Sequence, residues 1–153
     1  MKSLYYLLSL LLFVSWPSYA TDDTLQLVEG GHNTEIAIED LRQQAKTEFT
    51  IFAPFRGREV KMRGILLDEI LLQHLSKMPK TVKLIAADGY EITFNNWRKG
   101  NWIVVTHEDD KPLTIRQQGP LRLIERNDGN KDPENLRNFN DWVWMLVRIE
   151  VIE

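Results

Sequence analysis

The sequence predicts an α+β domain that is mostly β, with one main helix and a short one. Three observations predict it. Short runs of alternating apolar and polar residues recur along the chain, separated by Gly, Pro, Asn and Asp. One stretch, Gly64 to Met78, instead carries apolar residues at helical spacing. No internal repeat or low-complexity tract appears, and 153 residues make one domain by length.

In chain order, Leu25-Gln26-Leu27-Val28 reads as a short strand, Gly30-Gly31 with Asn33 supplies a turn, and Asn33 to Ile38 pairs back. Glu39 to Gln44 reads as a short helix and Glu48 to Phe52 as a strand. That strand runs into Ala53-Pro54-Phe55-Arg56-Gly57-Arg58, a basic, aromatic loop kinked by Pro and Gly, which suits the wall of a site. In the main helix, Leu67, Leu71, Leu75 and Met78 form a stripe with Ile70 beside them. Leu66 and Leu72 widen it, and Pro79 lies just past the end. Thr81 to Ala87 and Tyr90 to Phe94 make a hairpin about Asp88-Gly89, a dipeptide that favours a tight turn. Trp102 to Thr106 is a strand that Glu108-Asp109-Asp110-Lys111-Pro112 turns back into Leu113-Thr114-Ile115; the acidic pair there is a solvated turn. Gly119-Pro120 opens an alternating strand at the position where a missing N–H does least harm. In it Leu121 and Leu123 face one way, and Arg122, Ile124 and Arg126 the other. After a polar loop, Asn127 to Asn140, the last strand runs from Asp141 to Val151. Strict alternation puts Val143, Met145, Val147, Ile149 and Val151 on the core, and Trp142, Trp144, Leu146, Arg148 and Glu150 on the other face.

The first 20 residues read as an export signal. Lys2 is a minimal positive start, Leu4 to Val14 is an almost unbroken apolar run, and Trp16-Pro17 breaks it. Ser18-Tyr19-Ala20 then places small residues where a signal peptidase reads. The run is short for a bilayer, so we expect cleavage, a mature chain of residues 21–153, and no membrane span. Without Lys2 the formal net charge of −3 becomes −4, which argues against a general nucleic-acid binder. There is no cysteine. That excludes a cysteine nucleophile, zinc–thiolate sites and iron–sulfur clusters, while a domain of this size builds its core without disulfides.

Several residues invite a functional reading, each beside a plainer one. The paired rings of Trp142 and Trp144, near an arginine-bearing strand, are either a cover for the sheet under a loop or a cradle for a flat polar ligand. Asp88 serves the turn, or accepts hydrogen bonds from a ligand. Arg122 lies in an apolar run, where it needs a partner or a ligand. His32, His74 and His107 are scattered without ligand spacing, and His74 reads as a surface residue. Asp128-Gly129-Asn130-Lys131-Asp132 has its glycine and distal glutamate misplaced for a calcium loop. Neither a Gly-x-Ser-x-Gly elbow nor a phosphate-binding glycine loop is present.

Taken together, Gly119-Pro120-Leu121-Arg122-Leu123-Ile124, Ala87-Asp88-Gly89-Tyr90 and Val143-Trp144-Met145-Leu146 resemble the molybdopterin-binding domain of the sulfite oxidase (SUOX) superfamily. The chain is most similar to its small, exported, single-domain branch of pterin-binding proteins. The order of the Pro-aromatic loop, the Gly-Ile-Leu-Leu helix, the Asp-Gly-Tyr hairpin, the Gly-Pro-Leu-Arg strand and the terminal Trp strand also fits, over Phe49 to Val151. The resemblance implies a SUOX-type fold, with mixed sheets and one main helix. In the family's enzymes a cysteine thiolate at the end of the strand before the helix holds molybdenum. Here that neighbourhood is Thr50-Ile51-Phe52-Ala53-Pro54-Phe55. Without that soft ligand, the resemblance implies free pterin and no metal.

It also implies a site. Asp88, Arg122, Trp142 and Trp144 match the family's cofactor-contacting regions, and Phe55, Arg56 and Tyr90 complete the candidate set. Trp144, with Phe55 or Trp142 opposite, would stack on the ring. Asp88 would accept from its N–H edge and Arg122 would donate to its carbonyl oxygen and ring nitrogen, with Arg56 and Arg58 at the rim. The implied function is a non-catalytic periplasmic pterin-binding protein. Its implied partner is the periplasmic domain of a membrane-bound sensor, a cyclic-di-GMP diguanylate cyclase/phosphodiesterase or a histidine kinase. The alternative is a molybdopterin-dependent oxidoreductase or a subunit of one, against which the missing thiolate stands. A third reading is an interaction domain whose slot has closed.

Overall fold

The computed structural model of the protein describes residues 23–95, 97, 102–126 and 131–152. The export signal expected over residues 1–20 and the Asp128-Gly129-Asn130 stretch lie outside the described residues. The chain opens with β1 (Thr24–Glu29) and β2 (His32–Ala37), joined by Gly30 and Gly31 at φ 56° and 82°, the left-handed pair that a two-residue hairpin needs. Helix α1 (Ile38–Gln44) follows and buries Ile38 and Leu41. Then come β3 (Thr47–Ala53), β4 (Arg58–Leu66), α2 (Leu67–His74), β5 (Thr81–Ala86) and β6 (Glu91–Phe94). The chain closes with β7 (Trp102–Glu108), β8 (Lys111–Pro112), β9 (Arg122–Glu125) and β10 (Leu146–Ile152).

Two sheets result. One has the order β2-β1-β10-β5-β6, and the parallel β1–β10 pair makes it mixed. The other runs β3-β4-β7-β8, with β9 also pairing β7. Strand β7 lies inside this second sheet, and every residue from Trp102 to Glu108 is buried. Helices α1 and α2 both pack on β4 and β7. That is why β7 reads as a nearly continuous apolar run: a strand covered on both faces has no solvent side to mark with polar residues.

The main helix is shorter than its periodicity predicts. Gly64, Ile65 and Leu66 belong to β4, paired with Val105, Val104 and Ile103. Leu75, at φ −112° and ψ 141°, ends the helix. Leu67, Ile70 and Leu71 are its buried face, whereas Leu72 is 65% exposed and widens nothing. Strand β4 itself has no counterpart in the sequence expectations, although Val60 and Met62 are buried and alternate with charged neighbours. Gly64 shows why that strand lies so close to β7. A Cβ there would meet the Val104 carbonyl oxygen and come within 2.8 Å of Val105 Cα. Gly64→Ala is therefore expected to push β4 from β7 and lower stability by about 1–3 kcal/mol, an overpacking effect, read as a fall in the urea midpoint.

Two further expectations are corrected, and one strand is more enclosed than its pattern alone requires. Leu113-Thr114-Ile115 is not a strand: Asp109 and Asp110, at φ 48° and 63°, turn the chain into the two-residue β8, and Ile115–Gln117 is a 3-10 turn. In β9 both alternating faces are enclosed, since Leu121 to Ile124 are all fully buried. The last strand is not one uninterrupted alternation. Val143 bridges Leu123 of β9, Met145 takes φ 51°, and the pairing of β10 with β5 shifts between Leu146 and Arg148. The phase resets at that point. Leu146 and Ile149 face the core, while Met145, Val147 and Val151 are only partly buried.

Candidate functional site

The segment that carries the chain from β9 to β10 brings Trp142 and Trp144 to one place. Trp142 is 2% exposed and its ring meets Phe139 edge-on, with centroids 4.9 Å apart. Trp144 lies 6.2 Å from Trp142 and 5.2 Å from Phe55, with ring planes at 60° and 84°. These contacts form a row of four edge-to-face rings, Phe139, Trp142, Trp144 and Phe55, in the geometry that aromatic quadrupoles favour. Beside the row is a pocket of about 230 Å³, lined by Phe55, Asp88, Tyr90, Phe139, Asn140 and both tryptophans.

The β5–β6 hairpin supplies the polar side. Gly89, at φ 87°, makes the turn, and the Asp88 carboxylate accepts the Tyr90 N–H at 3.0 Å. Asp88 therefore serves the turn and lines the pocket as well. The Tyr90 hydroxyl donates across the mouth to the Asn140 carbonyl. Burial and the nearby Asp141 carboxylate hold this phenol above its ordinary range. The indole Nε1 of Trp142 is buried without a hydrogen-bond partner.

Arg122 lies behind this wall. Its Cζ is 4.7 Å from the Trp144 ring centroid, a cation–π contact. Its guanidinium donates to the Glu108 carboxylate and to the Gln117 carbonyl, and no part of the residue reaches solvent. Burial draws this guanidinium below its ordinary pKa, and the Glu108 carboxylate opposes that shift. Arg56 reaches the other oxygen of Glu108 at 3.2 Å and shares the Gln117 carbonyl. Two arginines thus converge on one buried carboxylate. Arg58 points away and pairs with Asp109 at 2.7 Å.

Of the seven residues proposed from sequence, Phe55, Asp88, Tyr90, Trp142 and Trp144 line the pocket together. Arg56 and Arg122 do not line it; both are taken up by Glu108 and Gln117. Arg122 is therefore placed to hold Trp144 rather than to donate to a ligand: both terminal nitrogens are engaged, and its Nε, though without a partner, is sealed from the slot by burial. Phe139, Asn140 and Glu108 are additions. The signal for Phe139 was its place just before Trp142, at the end of the polar loop. The signal for Glu108 was a carboxylate closing the apolar run of β7, as Arg122 interrupts that of β9.

His107 precedes Glu108 and is 7% exposed, with Nδ1 at 2.7 Å from Thr106 Oγ1. Burial pushes its pKa below the ordinary 6.5, Arg63 and Arg42 push the same way, and Glu39 and Asp110 oppose them. The fold therefore favours neutral imidazole. That contribution is full above the unfolded value and is lost as pH falls through the folded one, because the unfolded chain takes up the proton first. His107→Gln is expected to lose less of its urea midpoint than the unsubstituted protein between about pH 7.5 and about pH 5.

No family model matches the chain, and no curated protein matches it. Among solved structures it is similar to the sulfane dehydrogenase SoxCD from Paracoccus pantotrophus, with a TM-score of 0.59 and 14% sequence identity over 86% of this chain. The match covers 39% of that chain, so this protein spans about two fifths of its length. The fold is α+β, mostly β, and similar to that part of the sulfane dehydrogenase. At this identity the likeness concerns the fold alone. A thiolate-held molybdenum does not fit the residues present, since the sequence contains no cysteine. A flat heteroaromatic ring does fit them: the slot offers aromatic walls, a carboxylate and an amide.

Proposed function

We propose that this chain is a non-catalytic pterin-binding protein of the small, exported branch of the SUOX-type fold. It acts in the periplasm and reports ligand occupancy to the periplasmic domain of a membrane-bound sensor, a cyclic-di-GMP diguanylate cyclase/phosphodiesterase or a histidine kinase. The observation that carries the reading is the pocket of about 230 Å³ between the row of aromatic rings and Asp88. It is smaller than the roughly 300–1,000 Å³ of drug-sized ligand sites, which suits a bare bicyclic ring better than a full cofactor with its phosphate arm. Asp88 accepts from the amino-pyrimidinone edge, Trp144 and Phe55 contact the ring, and Arg122 holds Trp144 in place. Ligand information passes onward only if the pterin favours the docking-competent form over the other.

The test is titration of purified protein with a panel of oxidised and reduced pterins, followed by tryptophan fluorescence. Quenching with a Kd of about 1 μM or tighter, roughly −8 kcal/mol, is the expected result. A panel that leaves the fluorescence unchanged would overturn the reading. The fold likeness to a sulfane dehydrogenase supports a second reading, an oxidoreductase or a subunit of one. Stoichiometric molybdenum in natively purified protein would establish it over the first.

A further inference from the structure

Five of the seven residues that line the slot are aromatic: Phe55, Tyr90, Phe139, Trp142 and Trp144. Hollows of about 350, 370 and 540 Å³ elsewhere on the described surface have no aromatic lining residue. Phe139, Trp142, Trp144 and Phe55 follow one another with ring planes turned by 73°, 60° and 84°, as the adjacent walls of a box meet. Aromatic rings carry a negative π face, and a box of them holds an organic cation, a quaternary ammonium above all. The other two lining residues are Asp88 and Asn140, so the charged group in the lining is a carboxylate. Asp88 accepts the Tyr90 N–H and makes no ion pair with a described residue.

The protein's own cations nearby do not reverse that sign. Arg122 lies 4.7 Å from the Trp144 centroid and Lys131 5.9 Å from that of Phe139. Neither lines the slot, so the row of rings already accepts positive charge from outside it. Glu108 pairs with Arg122 and is shared with Arg56, while Lys131 lies between Glu125 at 2.8 Å and Asp141 at 3.4 Å. The first group has one positive charge in excess and the second one negative, so the two offset each other and Asp88 sets the sign. Burial, and then the Asp141 carboxylate, raise the Tyr90 phenol above its ordinary pKa, and the second of these marks a negative field at the mouth.

We infer that this slot also takes a compact organic cation, a quaternary ammonium group, with aromatic walls around its methyl groups and Asp88 as its counter-ion. A quaternary nitrogen has no N–H to donate, so it needs no acceptor in a fixed direction; π faces and one nearby carboxylate suffice. Its head is smaller than a bicyclic ring, so a volume of about 230 Å³ that takes the second has room for the first. Phe55 and Tyr90, 45% and 41% exposed, leave the slot open to solvent for such a ligand to enter. The inference goes beyond the pterin reading and does not rest on it: two ligand classes share one slot, and each stands or falls by its own measurement.

The experiment is calorimetric titration of the protein with choline and with its uncharged analogue, in which carbon replaces the quaternary nitrogen. The two probes share one shape and differ in charge. Choline is expected to bind with a Kd of about 1 mM or tighter, and the analogue at least about tenfold more weakly. Asp88→Asn should weaken choline about fivefold while keeping the hairpin, because asparagine also accepts the turn N–H. Phe55→Leu, at a half-exposed ring, should weaken it about threefold. No choline binding, equal affinity for the two probes, or an affinity unchanged in either variant would overturn the inference. Saturating choline should also displace a pterin that quenches the tryptophans, and pterin binding unaffected by it would put the cation outside the slot and overturn the assignment. Protein that binds choline in this pattern but shows no pterin quenching would sustain the cation site and remove the pterin reading.

Discussion

Glu108→Ala is expected to destabilise the fold by about 3–5 kcal/mol, because it leaves the buried Arg122 guanidinium and the neighbouring Arg56 facing each other without an anion. For a domain of this size that is a fall in melting temperature of roughly 10–15 °C. Arg122→Met should cost less. Glu108 then keeps Arg56 at 3.2 Å, and the methionine fills much of the vacated volume. The double variant Glu108→Leu with Arg122→Met should recover part of the loss, since an apolar pair in a dry interior has no charge left to satisfy. Calorimetry on the three variants checks the order. A Glu108→Ala protein as stable as the parent would mean that the carboxylate does not bridge the two arginines.

Trp144→Ala is expected to weaken pterin binding by about 100-fold, close to 3 kcal/mol, because one wall of the slot is lost. The same change exposes Arg122 and removes the edge contact with Phe55. Its stability cost should be about 2–3 kcal/mol, less than for a fully buried tryptophan. Trp144→Phe separates the two roles. It restores a ring to the wall and should bring binding back to within about tenfold of the parent. Binding is read by competition with a fluorescent pterin, so that the loss of the indole chromophore does not enter. A Trp144→Ala protein that folds and binds pterin as tightly as the parent would place the ligand elsewhere.

Local elements were legible where local chemistry suffices. Gly30-Gly31 and Asp88-Gly89 set their hairpins, and α1 and β5 fall within a residue or two of expectation. Strand β4 was not legible, because its own Gly64 opens an apolar run at helical spacing while the backbone there pairs with β7. Five of the seven candidate site residues converge because three connections meet there: the β3–β4 turn with Phe55, the β5–β6 hairpin with Asp88 and Tyr90, and the entry to β10 with both tryptophans. The two arginines do not line the slot. A sequence shows that an arginine in an apolar run needs a counterion, but not which distant carboxylate supplies it, and Glu108 is 14 residues from Arg122 and 52 from Arg56.

The amino-acid sequence by itself determined that no thiolate is available and that the chain is mostly β with one helix of note. It also determined that two tryptophans stand one residue apart beside an arginine strand. Only the tertiary structure decided which way the last strand faces. A single left-handed residue, Met145, and the register shift after it turn two aliphatic side chains toward solvent and put Leu146 in the core. Alternation fixes the relative direction of neighbouring side chains, but the phase of the pattern depends on a backbone angle set by hydrogen bonds to Gln118 and Leu121, far away in sequence.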